Sequence, residues 1–155
     1  MKKTNLTSIL IFACALYSAN ADAKIIMATT CNATDVQTAI NAATDGDTVV
    51  MPSGTCVWSS QVKIESKSII LKGGGIDQTI IIDNAPSGGG NSPLKISNSF
   101  GKVFRITGFT IDGRNARALN HSWGEIYIVG SSKDWRVDHI KIKNNTYRGI
   151  VVAGQ

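Results

Sequence analysis

The chain has 155 residues, a formal charge of +5 at neutral pH, 17% charged and 6% aromatic residues, and fifteen glycines. That length bounds it to one domain, and many glycines beside few charges and few aromatics suit a turn-rich β protein. The basic excess is scattered, without a block of five like charges, which argues against a nucleic-acid-binding tail.

Residues 1–23 read as an export signal. Lys2 and Lys3 form a positive start, and residues 6–16 are an apolar core too short to span a bilayer. Ala19-Asn20-Ala21 or Ala21-Asp22-Ala23 offers a small-residue cleavage site. Cys14 lies inside the apolar core, and its early position and Phe12 argue against a lipid-modified cysteine. Cleavage would remove Lys2, Lys3 and Asp22 and lower the charge of +5 by one. The mature chain, residues 24–155, is then expected to be secreted or periplasmic, with no membrane association. Its mild positive balance is compatible with an acidic polysaccharide, but on charge alone scattered solvated lysines explain it more simply.

Two cysteines remain after cleavage, Cys31 and Cys56. An even pair in an exported protein is expected to form a disulfide, two buried thiols being the alternative. Closing that loop would stabilise by about 3 kcal/mol in the chain-entropy view. No Cys/His cluster has zinc spacing.

Residues 35–54, DVQTAINAATDGDTVVMPSG, predict a short helix, a turn, a strand and a second turn. Asp35 can cap the helix. Val36, Ala39, Ile40 and Ala43 repeat at i, i+3, i+4, i+7 and give it one apolar face. Asp45-Gly46-Asp47 ends it, residues 48–51 are β-branched and apolar, and Pro52-Ser53-Gly54 turns the chain again. A helix this short cannot bury its apolar face alone, so it must cover something. Residues 61–64, 68–71 and 79–82 predict further strands. Gly73-Gly74-Gly75 is followed by the strand at 79–82 and not by Gly-Lys-Ser/Thr and a helix, so it reads as a tight turn rather than a phosphate loop.

The run AINAATDGDTVVMPSGTCVW (39–58) resembles the N-terminal start of the pectate-lyase-like superfamily, where A-I-x-x-A, G-D-x-V, a strand and P-x-G follow in order. SIILKGGGIDQTIIID (68–83) is similar to that family's next rung, in which a strand ends in L-x-G-x-G. The resemblance covers residues 31–83. It implies an all-β fold, a right-handed single-stranded parallel β-helix with a short N-terminal capping α-helix. It says less about activity, since one fold carries many functions.

Residues 85–93 form a loop, and 94–96 begin another strand. The apolar positions of 104–113 then recur in 135–144 at an offset of 31. A repeat of that size signals stacked units that close a core only together. Residues 125–129 and 149–152 supply further strands, and Asn144-Asn145 suits an asparagine-lined bend. The strand at 150–152 is apolar and no polar outer rung follows it, so the chain is expected to be the N-terminal part of a longer protein.

Between the two repeats, residues 112–124 (DGRNARALNHSWG) are the most chemically varied stretch. Arg114, Arg117, His121 and Trp123 are the candidate substrate-binding residues. Arginine takes carboxylates bidentately and an aromatic ring stacks on a sugar face; a solvated loop with one aromatic packed back on the strands is the alternative. Val137-Asp138-His139 resembles the W-I-D-H segment of pectate lyases, whose aspartate helps bind calcium, although the tryptophan here, Trp135, is displaced by one residue. That resemblance makes Asp138 a candidate Ca²⁺ ligand; a turn aspartate beside a solvated His139 explains the residues as well. Asp112, before Gly113, is explained by turn geometry. Glu65 and Glu125 are the only glutamates and form no evident acid pair. No nucleophile elbow is present.

The resemblance therefore implies an exported lyase or hydrolase of uronate-containing glycans, with catalytic residues unassigned. A non-catalytic adhesin, glycan-binding or structural protein is the other class.

Overall fold

The computed structural model describes residues 22–86, 91–114 and 123–154, in which strands dominate and all pairing between strands is parallel. Arg117, His121 and most of residues 1–23, the stretch expected to be an export signal, lie outside the described residues. The strands are β1 (Ile25–Met27), β2 (Thr48–Val50), β3 (Gly54–Trp58), β4 (Val62–Glu65), β5 (Ile70–Lys72), β6 (Thr79–Asp83), β7 (Leu94–Asn98), β8 (Phe104–Asp112), β9 (Ile126–Gly130), β10 (Trp135–Lys143) and β11 (Ile150–Gly154). The helix α1 spans Ala33–Ala42.

Strand pairing sorts these segments into three stacks. In the first, β1, β2, β5 and the starts of β8 and β10 lie side by side. In the second, β3 pairs β6, which pairs the end of β8 and through it the end of β10. The third runs β4, β7, β9, β11. Strands β8 and β10 are long enough to serve two stacks, and their register, Phe104 against Trp135, reproduces the offset of 31 read from the sequence.

The core consists of side chains stacked in register. Val49, Leu71, Ile106 and Val137 form one column, and Ile64, Ile96 and Ile128 another. β-Branched and leucine side chains suit this pleated, half-buried surface. Phe104 and Trp135 stack with ring centroids 5.7 Å apart and planes 6° off parallel. Helix α1 lies against β4 and the first strands and buries Ala33, Val36, Ala39 and Ile40, as its apolar periodicity requires.

Two segments differ from the sequence expectation. Strands β1 and β3 were not anticipated: β1 is only three residues long, and β3 begins at Gly54, within the Pro52-Ser53-Gly54 turn, with Thr55 and Val57 pointing out and Cys56 and Trp58 pointing in. Asp35 is not the N-cap. The cap is Asn32, and Asp35, already inside the first helical turn, accepts a 2.6 Å hydrogen bond from the Thr30 hydroxyl.

The helix is held at both ends. Cys31 and Cys56 form a disulfide with Cα atoms 5.7 Å apart, and the buried Trp58 indole donates to the Cys31 carbonyl at 2.8 Å. At the other end, the Lys67 ammonium donates to the carbonyls of Ile40 (2.7 Å), Asn41 (2.8 Å) and Ala43 (2.7 Å). It thereby serves acceptors that a helix C-terminus leaves unpaired.

The glycine turn is a close approach between neighbouring rungs. A Cβ on Gly73 would meet the Gly108 carbonyl oxygen and lie 2.8 Å from the Phe109 Cβ. Gly108 itself has φ +78° and His139, its counterpart on β10, φ +50°, so the same left-handed bend recurs one rung on with a non-glycine residue. Among the described residues no helix is long and apolar enough to cross a membrane.

Candidate functional site

The outer face of β8 and β10 gathers most of the charge-bearing chemistry. The pairing of Arg105 with Arg136 and of Thr107 with Asp138 places these four side chains in two neighbouring rungs. Asp138 is the hub. Its carboxylate accepts from Arg105 Nε (3.0 Å) and Nη2 (2.9 Å) and from the Thr107 hydroxyl; Arg136 pairs with the same group, and His139 Nδ1 lies 3.1 Å away. The Arg105 guanidinium, followed by the Thr107 hydroxyl, holds the Asp138 carboxyl far below the usual carboxylate range, overcoming the opposing effect of burial. Arg105 is shifted up by the same bonds.

Past the bend at His139 the pattern continues. Lys141 donates to both oxygens of Asp77 (2.9 and 2.8 Å), and Lys143 lies 3.3 Å from Asp112. The Lys141 hydrogen bond lowers the Asp77 pKa. Asp112 is nearly buried, which favours its neutral form. Hydrogen bonds from the Asn144 side chain (2.9 Å), the Arg114 backbone (2.9 Å) and Lys143 outweigh that, and its pKa falls. The bond to Arg114 N is the aspartate turn that the Asp112-Gly113 sequence predicts.

The second cluster sits at the corner where β8 leads toward β9. Arg114 donates through Nη1 to the Asn84 side chain at 3.1 Å, and Asn84 donates to Ser59 at 3.2 Å, so three successive turns are bridged. Trp123 packs on Tyr127 with centroids 4.4 Å apart and planes tilted by 51°. Its carbonyl accepts from the buried Ser92 hydroxyl at 3.1 Å. The structure thus anchors the two described members of the predicted loop site, Arg114 and Trp123, in separate networks on either side of residues 115–122.

Asp138 was the candidate calcium ligand. Calcium takes several oxygen ligands and is repelled by cations, whereas Asp138 here faces two guanidinium groups and a hydroxyl. In this arrangement the donors around Asp138 do not fit a calcium site. Among the described residues no group of three or more His, Cys, Asp or Glu side chains could hold a metal ion.

Several chemically important residues escaped the sequence reading. Arg105 and Arg136 read as ordinary strand positions, and only their register, at the same offset of 31, could have flagged that they share one acid. Asp83, a buried carboxylate that accepts from Ala85 N at 3.0 Å, was not singled out either, and Glu125, noted in the sequence only as one of two glutamates, is buried as well. A Cβ on Gly113 would come within 2.7 Å of Glu125 Oε1, so the glycine makes room for that acid.

The stacked parallel strands define an all-β, β-helix-like fold, and comparison with solved structures agrees. The chain is similar to the PL6 family alginate lyase AlyGC, with a TM-score of 0.59 at 15% identity over 86% of this chain. It spans 18% of the length of that structure. At this identity the likeness is one of fold. No protein-family model matches the sequence, and no curated protein matches it.

Proposed function

We propose that the chain belongs to an exported right-handed parallel β-helix protein that acts on a uronate-containing polysaccharide as a lyase or hydrolase, residues 1–23 being its export signal. The observation that carries this reading is the sharing of Asp138 by Arg105 and Arg136. Two guanidinium groups on one carboxylate leave a surplus positive charge, and the Arg136 side chain is 67% exposed. Arginine presents a planar fork that matches a carboxylate. Stacked strands repeat about every 4.8 Å, so an extended anionic polymer can meet cations on successive rungs. The alginate lyase of like fold is a polysaccharide-active protein, which supports the same class of substrate.

The test is affinity electrophoresis of the purified protein through gels containing alginate, polygalacturonate or a neutral glucan. Retardation by the acidic polymers alone is expected, weakened by salt and by Arg136→Ala. Equal migration in all three gels would sink the reading. Ultraviolet absorbance of unsaturated uronates in the same polymers reports lyase action, and new reducing ends without that absorbance report hydrolysis.

A non-catalytic glycan binder is the second reading. It is favoured by the engagement of all three aspartates of this face, Asp77, Asp112 and Asp138, by lysine or arginine side chains. Retardation by acidic polymers with neither product would favour it.

A further inference from the structure

From the third stack of strands we infer a separate subsite for a single acidic sugar, built by Trp123, Tyr127, Lys95 and Lys63; it rests on the uronate reading. Register places Lys63 beside Lys95 and Lys95 beside Tyr127 on neighbouring strands. Ile64 and Ile96 point into the core on the same strands, so by alternation the lysines point outward.

Three features make this a platform. Tyr127 occupies an outward position yet is only 7% exposed, with the Trp123 ring 4.4 Å from its own and the Lys95 ammonium 6.0 Å from its centroid. Trp123 is half-buried, and its backbone is pinned by the fully buried Ser92, whose own carbonyl accepts from Gln61 at 2.9 Å. Tyr127 therefore orients the indole, and the indole offers its uncovered surface to solvent. Lys63 and Lys95 are like charges directly in register, a pairing that is destabilising. Among the described residues neither is ion-paired. Glu65 is the acid on that face, two residues along β4 and paired in register with Ser97.

An anion held between the two ammonium groups relieves their repulsion, and an apolar ring face beside them selects what carries the anion. A pyranose with an apolar C–H face and a carboxylate on its edge meets both demands, because aromatic side chains supply large apolar contact in a fixed geometry. The ligand class is a uronic acid residue within a glycan. A neutral sugar would use the indole alone.

Titration calorimetry of the full chain with short oligogalacturonates, oligomannuronates and a neutral cello-oligosaccharide tests this. Trp123→Ala is expected to weaken uronate binding about tenfold, and Trp123→Phe to restore most of it. Lys95→Ala is expected to cost about fivefold on uronates and nothing on the neutral sugar, with Lys95→Arg close to wild type. Near-ultraviolet circular dichroism checks that each variant is folded. Wild-type binding of uronates that Lys95→Ala and Trp123→Phe leave unchanged, with Trp123→Ala equally silent, would overturn the subsite while leaving the acidic-polysaccharide reading intact. No uronate binding by the wild type would overturn both.

Discussion

Arg105 and Asp138, thirty-three residues apart, meet edge to edge, with Nε and Nη2 of the arginine at 3.0 and 2.9 Å from the two oxygens of the aspartate. This pairing across adjacent rungs ties the first stack together and sets the charge of the outer face.

It also predicts acid sensitivity. The Asp138 carboxyl is held far below its usual range, so the unfolded chain takes up the proton first as pH falls. The ionised pair therefore stabilises the fold fully above about pH 4, the ordinary aspartate value, and the contribution disappears as pH falls through the lower folded value. Asp45, Asp77 and Asp112 are shifted in the same direction. Thermal melts should be flat from about pH 7 to about pH 5 and fall steeply below about pH 4. Asp138→Asn should be less stable than wild type at neutral pH, and the gap should close in acid. A gap that widens in acid would contradict this account.

The disulfide has a separate signature. Replacing Cys31 and Cys56 together by alanine, or reducing the bond, should cost about 3 kcal/mol, read as a lower denaturant midpoint. Amide exchange should quicken first in α1 and β3, because the bond joins the segment before the helix to that strand. Exchange that quickens uniformly would mean that the cap and the stack unfold as one unit.

Lys67→Met keeps most of the aliphatic stem and removes three hydrogen bonds to the end of α1. A loss of about 1 to 2 kcal/mol is expected, concentrated in the exchange of residues 40–43. An unchanged denaturation curve would show that water replaces the ammonium at no cost.

Two glycines should respond differently to alanine. At Gly73 a Cβ collides with the Gly108 carbonyl oxygen and with Phe109, so Gly73→Ala should cost about 3 kcal/mol, as overpacking does. Gly46 has φ +96° with nothing within 4 Å of a new Cβ, so Gly46→Ala should cost only the backbone strain, about 1 kcal/mol. Similar losses at both sites would refute the close-approach explanation.

The repeat relating residues 104–113 to 135–144 was legible because the same pattern of inward apolar positions had to recur where two strands stack, and Phe104 does lie against Trp135. The glycine turn after Leu71 and the apolar face of α1 were legible for the same reason: local geometry and burial restrict which residues fit. The partners of Asp138 were hidden. Asp138-His139 carried a local motif, but the groups that decide its chemistry sit at Arg105 and Thr107, a full rung earlier. The aromatic pair was half visible: Trp123 stood out in its polar loop, whereas Tyr127 read as one more strand residue until stacking put it under the indole.

By itself the sequence determined the class of structure, because period-two apolar strands, glycine turns and a short amphipathic helix bury their surfaces only when stacked. It also determined the offset between the long strands, whereas Cys31 and Cys56 could have been a disulfide or two buried thiols until the structure joined them. Which charges neutralise one another, which aromatic backs another and which lysines are left beside each other were decided only by the tertiary structure. Those outcomes depend on register between segments some thirty residues apart, and a shift of one residue would turn each of these side chains to the opposite face.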